Sequence, residues 1–211
     1  MPHPSSPFLP MRVLWATVLI VLADQITKVV VKTSMYYGES IPVIGRLFRF
    51  TFTENPGMAF GLSVGSKLFL TLFSIVATIA ILGYLWFVRK GPFGYRMALA
   101  LILGGALGNV IDRVFYGAIW GECLPSPPGA HRLFYGCVVD FLHVDLWTGQ
   151  VGGRTIALFP IGNIADVTII IGVVMVLVTQ ATFQRWAHAQ HPDAPVEPLA
   201  EVLAEPEPPA V

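Results

Sequence analysis

The amino-acid sequence predicts a membrane protein with an all-α core of four transmembrane helices and a small β-rich cap. Of its 211 residues, 55% are hydrophobic and 12% are charged, and the mean hydropathy of +0.67 is far too high for a soluble domain of this length. Four apolar stretches are each long enough, at about 20 residues, to cross the hydrocarbon core of a bilayer. Between the first two stretches, phenylalanines alternate with polar residues, which indicates a strand with one apolar face.

The four predicted spans are residues 11–31, 68–88, 97–115 and 161–179. The first span carries Asp24, Gln25 and Lys28 in its later part. We interpret it as a retained helix, because a cleaved signal peptide would end at a small-residue cleavage site rather than run into charges. Residues 1–188 are the predicted membrane domain. Residues 189–211 are a mixture of Pro, Ala and Glu, too poor in large apolar side chains to form a core, and they predict a disordered tail.

The positive charges predict which side of the membrane each loop occupies. Four spans place both termini on one side, and the short link after the second span holds Arg89, Lys90 and Arg96, a dense cluster typical of the cytoplasm. The opposite loops hold more basic residues in total, namely Lys32, Arg46, Arg49, Lys67, Arg132 and Arg154. We give more weight to the short link because its charges lie tightly between two spans. The termini are therefore predicted to be cytoplasmic and the β-rich cap periplasmic.

The cap prediction rests on the loop after the first span. Phe48, Phe50 and Phe52 alternate with polar residues, so we expect these rings to lie against lipid or substrate. A second apolar run, residues 133–139, is a candidate partner strand. The glycine-rich stretch 149–153 is predicted to be a hairpin turn rather than a phosphate loop, because no Lys-Ser/Thr pair follows it.

Composition argues against several functional classes. The formal net charge is +0, so there is no basic stripe for nucleic acid and none is predicted as a partner. A metal-dependent membrane hydrolase using His131, His143 and Asp145 is one alternative, but no HExxH string is present and we predict neither metal nor cofactor. A small polytopic transporter or channel is a second alternative. Its polar residues would follow a path through the bilayer, whereas here they gather toward one face apart from Asp24 and Lys28.

Polar residues inside the spans mark candidate structural and functional positions. Asp24 and Lys28 are four residues apart on one helix face, and they predict a structural ion pair that braces the helix bundle. In the third span, Asn109, Asp112 and Arg113 form one polar stripe, which either lines a site or, for Asp112 and Arg113, anchors the helix at the membrane surface.

That stripe follows a run of small residues. Gly104 and Gly108 have the small-xxx-small spacing that lets a neighbouring helix approach closely.

Two carboxylates beside hydrophobic segments suggest an acid–base pair. Asp140 precedes the fourth span, and Asp166 follows Asn163 by three residues at the start of that span. Carboxylates that share one proton have separated pKa values, because like charges at close range cannot both ionise. One can then activate a water while the other polarises a carbonyl. Such a pair hydrolyses a peptide bond.

Five sequence blocks, taken together, resemble one known family. They are Asp24 with Lys28, then Glu54-Asn55-Pro56-Gly57-Met58-Ala59-Phe60-Gly61, Gly105-Ala106-Leu107-Gly108-Asn109-Val110-Ile111-Asp112-Arg113, Val139-Asp140-Phe141 and Asn163-Ile164-Ala165-Asp166. In this order they resemble lipoprotein signal peptidase, also called signal peptidase II, over about residues 11–181. Each block alone is a weak signal, whereas five in order are highly specific.

The resemblance implies an aspartic protease of the bacterial inner membrane, embedded among membrane lipids. Its expected substrates are prolipoproteins, cleaved just before a diacylglyceryl-modified cysteine. Asp140 and Asp166 match the catalytic dyad of the family. The residues implied to line the site and hold substrate are Asn55, Gly57, Asn109, Arg113 and Asn163.

The chain departs from the family pattern at two places. Residues 114–138 form a longer link than the family usually has, and we expect an excursion over the site. This excursion contains Cys123 and Cys137, which are predicted to face the oxidising periplasm and form a possible disulfide, with two free thiols as the alternative. Gly162 stands where the family tends to have an aromatic residue.

Overall fold

The structure is a computed structural model that describes residues 12–59, 62–63, 66–121, 123, 131–146, 148–151, 154–157 and 159–190. Within these residues, four helices are long and apolar enough to cross a membrane, as the sequence predicts: Leu14–Ser34, Lys67–Phe87, Phe93–Trp120 and Ile164–Gln190. The predicted tail from residue 189 begins too early, because the last helix continues to Gln190. Residues 191–211 and the first residue of the predicted first span, Met11, lie outside the described residues.

The elements follow one another as helices interrupted by two β-rich segments. The helices are α1 (Leu14–Ser34), α2 (Lys67–Phe87), α3 (Phe93–Ile111), a π-helical turn (Asp112–Tyr116), α4 (Gly117–Ile119) and α5 (Ile164–Gln190). The strands are β1 (Ser40–Ile44), β2 (Phe48–Asn55), β3 (Met58–Ala59), β4 (Leu62–Ser63), β5 (Val138–Val144), β6 (Thr148–Val151) and β7 (Arg154–Ala157). The third and fourth spans are therefore longer than predicted.

Helix α3 is the central helix, and its glycines explain how two neighbours reach it. A Cβ at Gly104 would lie 3.0 Å from Ile20 of α1, and one at Gly105 would collide with the backbone oxygen of Ala165 of α5. At Gly108 a Cβ would lie 3.3 Å from that of Ala165. The predicted close approach at Gly104 and Gly108 is confirmed, and it serves two helices rather than one.

The two ends of the bundle differ in chemistry. The end away from the cap is filled by an apolar cluster of Val13, Leu85, Val88, Tyr95, Leu99, Ala100 and Leu103. Many large apolar side chains on the outer helix faces are exposed, such as Phe73, Val76 and Leu177, as expected for helices whose solvent is lipid. The buried charged groups Asp24, Lys28 and Asp112 lie toward the other end, beneath the cap.

The cap is a three-stranded antiparallel sheet in the order β1-β2-β5. The predicted strand at Phe48–Asn55 is confirmed, but the predicted environment of Phe52 is wrong. Phe52 is only 1% exposed and packs in the interior against Val31, Tyr116 and Phe141. It faces inward because β2 crosses the end of α1, whose Val31 covers the ring. The cap is therefore packed onto the helix bundle through an apolar layer.

The partner strand begins later than predicted. Strand β5 starts at Val138, and Leu133 and Phe134 lie in a turn rather than in the sheet. The reason is local, because Phe134 has a positive φ of 68°, which no extended strand has. The predicted hairpin is confirmed by the antiparallel pair β6 and β7, although residues 152 and 153 of its turn lie outside the described residues.

The excursion packs along the end of the third span. Backbone amides of the returning segment bond to the carbonyls of that helix end: Phe134 to Val114 at 2.9 Å and Gly136 to Arg113 at 2.9 Å. Cys123 and Cys137 form a disulfide, with Cα atoms 5.7 Å apart. Residues 122 and 124–130, which include the proline cluster, lie outside the described residues.

Candidate active site

Asp166 lies in the first turn of α5, where Asn163 precedes the helix and caps it. The backbone amide of Asp166 donates to Oδ1 of Asn163 at 3.0 Å, and that of Asn163 donates to Oδ2 of Asp166 at 3.1 Å. This reciprocal arrangement is a capping box, which satisfies two backbone amides at the helix start. The helix N-terminus also favours negative charge on Asp166.

Asp140 lies on the neighbouring strand β5 and is joined to Asp166 through the same asparagine. Nδ2 of Asn163 donates to Oδ1 of Asp140 at 2.7 Å. The backbone oxygen of Gly162 accepts from the amides of Phe141 at 2.8 Å and Leu142 at 2.7 Å, so β5 is attached to the residues that precede α5. The structure thus brings together the two aspartates that the sequence selects.

Asn109 of α3 connects this pair to the centre of the bundle. Its Nδ2 donates to Oδ1 of Asp166 at 2.8 Å, and its Oδ1 accepts from Nδ2 of Asn163 at 3.2 Å. Oδ1 also accepts from Nζ of Lys28 at 2.9 Å. The side chains of Asn109 and Asn163 therefore contact both carboxylates and each other.

The predicted Asp24–Lys28 ion pair is present, as part of a larger buried cluster. Nζ of Lys28 lies 2.8 Å from Asp24 and 2.7 Å from Asp112, and all three side chains are fully buried. The interpretation of Asp112 as a surface anchor is wrong, because its carboxylate also accepts from the backbone amide of Val139 at 3.2 Å. One lysine thus bridges two carboxylates beneath the strand that carries Asp140.

Gln25 is a member of this cluster to which the sequence analysis gave no role. Its Nε2 donates to Oδ1 of Asp112 at 2.9 Å and to the carbonyl of Gly108 at 3.1 Å, while its Oε1 accepts from the hydroxyl of Tyr116 at 3.2 Å. Its position could have indicated this role, because Gln25 is a polar residue next to Asp24 in an otherwise apolar span. Asp112 and Tyr116, four residues apart at the two ends of the π-helical turn, both reach Gln25, a contact between distant segments that spacing within one helix cannot predict.

Asn55 and Gly57 lie where β2 ends. Oδ1 of Asn55 accepts from the amide of Gly57 at 2.9 Å, and the Asn55 side chain also hydrogen-bonds Asp140. Gly57 has φ of 108°, which L-residues avoid, and a Cβ there would collide with Leu70 and lie 3.5 Å from Nη1 of Arg113. This glycine therefore lets the loop approach Leu70 closely, beside Arg113.

A cleft of about 320 Å³ opens onto both aspartates. Its polar lining consists of Asn55, Asp140, Asn163 and Asp166, and its remaining walls are largely apolar: Leu142, Val144, Phe159, Pro160, Ile161, Gly162, Val167 and Ile170. No described residue of the 114–138 excursion is among them, so the expectation of an excursion over the site is not met by its described part.

The surroundings of Asp140 shift its proton affinity. Burial raises the pKa of Asp140 to about 7, and the nearby charge of Asp166 acts in the same direction. Lys28 and the hydrogen bonds from Asn163 and Asn55 oppose this rise in pKa. Arg113 interacts electrostatically with both aspartates. Asp140 can therefore hold a proton near neutral pH, as a general acid must.

The residues of the metal alternative lie elsewhere. His143 bonds to Thr51 at 3.1 Å and Asp145 to Arg49 at 3.2 Å, both through cap side chains. His131 bonds to the carbonyl of Ala118 at 2.7 Å. Among the side chains that the structure describes, no three His, Cys, Asp or Glu residues form a group that could hold a metal ion.

Comparisons with known proteins point to one family. Residues 16–182 match the family described as signal peptidase (SPase) II. The lipoprotein signal peptidase of Porphyromonas gingivalis is 40% identical over 179 residues, covering 76% of this chain and 79% of that protein. The lipoprotein signal peptidase of Bacillus subtilis is 34% identical over 163 residues, covering 76% and 86%.

The fold has a counterpart among solved structures. A bacterial membrane enzyme solved by the in meso method at 2.3 Å resolution is similar with a TM-score of 0.61 and 28% identity, covering 85% of this chain and 93% of that one. The family match extends from α1 into α5 and includes the buried cluster of Asp24, Lys28 and Asp112 as well as Asp140 and Asp166. The chain belongs to the signal peptidase II family.

Proposed function

We propose that this protein removes the signal peptides of prolipoproteins by aspartic proteolysis, with Asp140 and Asp166 as the catalytic pair. The observation that carries the proposal is their junction through Asn163 in one cleft whose other walls are largely apolar. Two carboxylates in such a setting share a proton, so one is a base for water and the other an acid for the scissile carbonyl.

The five residues assigned to substrate binding divide into two groups. The amides of Asn109 and Asn163 are engaged by the carboxylates and by Lys28, so their proposed role is to hold the pair rather than the peptide. Asn55, Gly57 and Arg113 lie together at the end of β2. Their proposed role is to contact an extended peptide that enters from the cap.

The proposed substrate carries a diacylglyceryl group on the cysteine that follows the cleavage site. Asp166 is the third residue of a 27-residue span, so the scissile bond is reached at the membrane boundary. Acyl chains can remain in lipid along exposed apolar faces such as Val167 and Ile170, which also line the cleft. Each methylene held in the bilayer contributes about 0.8 kcal/mol to the free energy of membrane binding.

The proposed location is the bacterial inner membrane, with the cap in the periplasm and both termini in the cytoplasm. The link of Arg89, Lys90 and Arg96 supports this orientation. On the cap side, Lys32 and Arg49 are paired with Glu54 and Asp145, which lowers their weight as topology signals. Reporter fusions in the 89–92 link and at the C-terminus should both report cytoplasm.

Transport is not favoured. The buried charges lie toward the cap, and the opposite end of the bundle is filled by apolar side chains such as Leu85, Leu99 and Leu103. A path for ions through the bilayer would need available polar groups along that half as well, whereas the buried hydroxyls of Thr17 and Thr78 are engaged by backbone oxygens.

Cleavage of a lipidated precursor by the purified protein tests the proposal. Asp140→Asn and Asp166→Asn should each abolish turnover and leave the protein folded, because an amide can neither share the proton nor accept one from water. Asp145→Asn is the matched control, since it changes a cap aspartate outside the cleft and should leave the rate near normal. Near-normal rates in either dyad variant would disprove the aspartic mechanism.

The same peptide without lipid should be cleaved poorly or not at all by the unmodified protein. Equal rates for lipidated and unlipidated peptides would instead indicate a general membrane protease.

A further inference from the structure

The orientation of the Asn109 amide is determined by Lys28. An ammonium group has donors only, so the Asn109 atom 2.9 Å from Nζ must be the acceptor Oδ1. Nδ2 of Asn163 donates to the same oxygen at 3.2 Å. The amide nitrogen of Asn109 is then left to face Asp166, where it can only donate.

Asp166 consequently receives one N–H donor on each carboxylate oxygen. Oδ1 accepts from Nδ2 of Asn109 at 2.8 Å, and Oδ2 accepts from the backbone amide of Asn163 at 3.1 Å. It also lies in the first turn of α5, where the helix dipole favours an anion. Hydrogen bonds donated to a carboxylate stabilise its ionised form. All three features favour Asp166 as the anion.

Asp140 has a different environment. It lies in the middle of a strand, with 3% of its surface exposed, and no helix begins there. Its donors are the side chains of Asn163 and Asn55. Removing a carboxylate from solvent disfavours the charged form, and the anionic Asp166 nearby adds to that cost. Burial together with this neighbour raises the pKa of Asp140 to about 7.

We propose that the single proton of the pair resides on Asp140, so that Asp140 is the acid and Asp166 the base, and that Lys28 is a positioning residue that orients the Asn109 amide toward Asp166. The inference rests on the proposed function. It assigns a separate role to each aspartate and gives the Asp24–Lys28–Asp112 cluster a purpose beyond bracing the helices.

The assignment makes each step of hydrolysis specific. Asp166 takes a proton from water as the water oxygen bonds to the scissile carbonyl carbon, and Asp140 gives its proton to the carbonyl oxygen. The resulting gem-diol then collapses: Asp166 returns its proton to the leaving amide nitrogen as the C–N bond breaks, and one diol hydroxyl returns its proton to Asp140. The products are the free carboxyl terminus of the signal peptide and the free amino group of the lipidated cysteine.

Asparagine substitutions distinguish the two roles without requiring turnover. In Asp140→Asn the new amide meets two donors, the side chains of Asn163 and Asn55, but a side-chain amide such as that of Asn55 can rotate to present its oxygen to the new NH₂, so the neutral state of the acid is retained. The donors at Asp166 cannot rotate in this way, because Lys28 fixes the Asn109 amide and the other donor is a backbone amide. Asn at 166 must place its NH₂ against either Asn109 or Asn163, both of which are donors there. A buried donor that faces a donor is left unsatisfied, which costs roughly a factor of 10 or more in an equilibrium constant.

The probe is a diacylglyceryl-cysteine peptide whose scissile amide is replaced by a methyleneamine, so that it cannot be cleaved. Asp140→Asn should bind it within about threefold of the unmodified protein, whereas Asp166→Asn should bind it at least about tenfold more weakly or unfold at lower temperature. Equal binding and stability in the two variants, or the opposite order, would overturn the proton assignment. In that case, loss of cleavage in both variants would still support the catalytic dyad. Failure of the proton assignment can therefore be distinguished from failure of the proposed function.

Infrared spectroscopy tests the assignment independently of whether Asp166→Asn folds. At pH 6 the difference spectrum between the unmodified protein and Asp140→Asn should contain the carbonyl stretch of a protonated carboxylic acid. A difference spectrum showing the loss of an ionised carboxylate instead would place the proton on Asp166.

The role of Lys28 is tested by the pH profile of the rate. The Lys28 charge lowers the pKa of Asp140, so in Lys28→Met the alkaline limb of the profile should move to higher pH and the rate should fall. Lys28→Arg retains the cation and should restore the limb toward its normal position. Lys32→Met, which changes a lysine paired with Glu54, is the control and should leave the limb in place.

Lys28→Met leaves the buried carboxylates of Asp24 and Asp112 without a cation. If this variant does not fold, the double variant Lys28→Met, Asp112→Asn, which removes one of the two charges, replaces it in the experiment. A reduced rate with an unmoved alkaline limb in the folded variant would limit Lys28 to a bracing role.

Discussion

The backbone amide of Ala165 donates a hydrogen bond to Oδ1 of Asp24 at 3.0 Å, joining residues 141 positions apart. Ala165 directly precedes Asp166, so the carboxylate of Asp24 holds the start of α5 against α1. The other oxygen of Asp24 lies 2.8 Å from Lys28. Through this one carboxylate, the position of a proposed catalytic residue depends on the buried ion cluster.

Asp24→Asn should therefore lower stability more than it alters the chemical step. An amide retains one acceptor but leaves Lys28 with a reduced counter-charge, and disturbing a buried pair costs about 3–5 kcal/mol. Thermal unfolding in detergent micelles measures the effect. Thr27→Ala on the same helix is the control, because the Thr27 hydroxyl bonds only to backbone oxygens of its own helix and should change stability little. An unchanged unfolding temperature in Asp24→Asn would contradict this account.

Gly108→Ala should destabilise the protein strongly. A Cβ at this position would lie 2.5 Å from Oδ2 of Asp24, and the buried cluster cannot move away without losing its contacts. Overpacking typically costs about 1–3 kcal/mol. Gly83→Ala on α2 is a matched control, since a Cβ there meets nothing within 4 Å and alanine favours the helix by up to about 1 kcal/mol. The two substitutions should shift the unfolding temperature in opposite directions.

The stability of the protein should fall as pH rises through the titration of Asp140. Its folded pKa of about 7 is above the unfolded value near 3.9, so between these values the folded state binds more protons than the unfolded state. The stabilisation is fully present below about pH 4 and is lost as pH approaches 7. Asp140→Asn should remove this component, so the difference in unfolding temperature between the two proteins should shrink or reverse with rising pH. A constant difference from pH 4 to 8 would contradict the raised pKa.

The same titration should appear in the rate. If Asp140 acts as the acid, kcat should decline as pH passes about 7. The charged groups that act on Asp140 are Asp166, Lys28 and Arg113. An alkaline limb that moves when one of them is neutralised would support this origin, and a rate independent of pH from 5 to 9 would exclude it.

The disulfide between Cys123 and Cys137 should be intact in protein extracted from membranes. Mass measurement after alkylation, with and without reductant, should show labelling only after reduction. The bond closes a loop with a sequence separation of 14, and chain entropy gives about 3 kcal/mol for a loop of this size. The double variant Cys123→Ser, Cys137→Ser should therefore unfold at lower temperature while retaining turnover. Labelling of both thiols without reductant would contradict the bridge and weaken the periplasmic assignment of the cap.

Much of this protein could be predicted from local patterns in its sequence. Each span can be recognised by its length and hydropathy, because a helix that crosses lipid must be long and apolar and must make its backbone hydrogen bonds internally. Strand β2 follows from the alternation around Phe50, since a strand has a period of two. The two aspartates are prominent because a carboxylate beside lipid is costly and rare.

Only the tertiary structure decided which polar groups meet. Helical spacing places Asn109 and Asp112 on one face of the third span, but the close approach of α1 at Gly104 and Gly108 determines that Lys28 reaches both. Period-two alternation exposes one face of β2, but whether Phe52 meets lipid or Val31 depends on how the sheet packs onto α1. Lys28 and Asn109 are 81 positions apart. Spacing within an element specifies a face, whereas the partner of that face is a contact between distant segments, determined by how the whole chain packs.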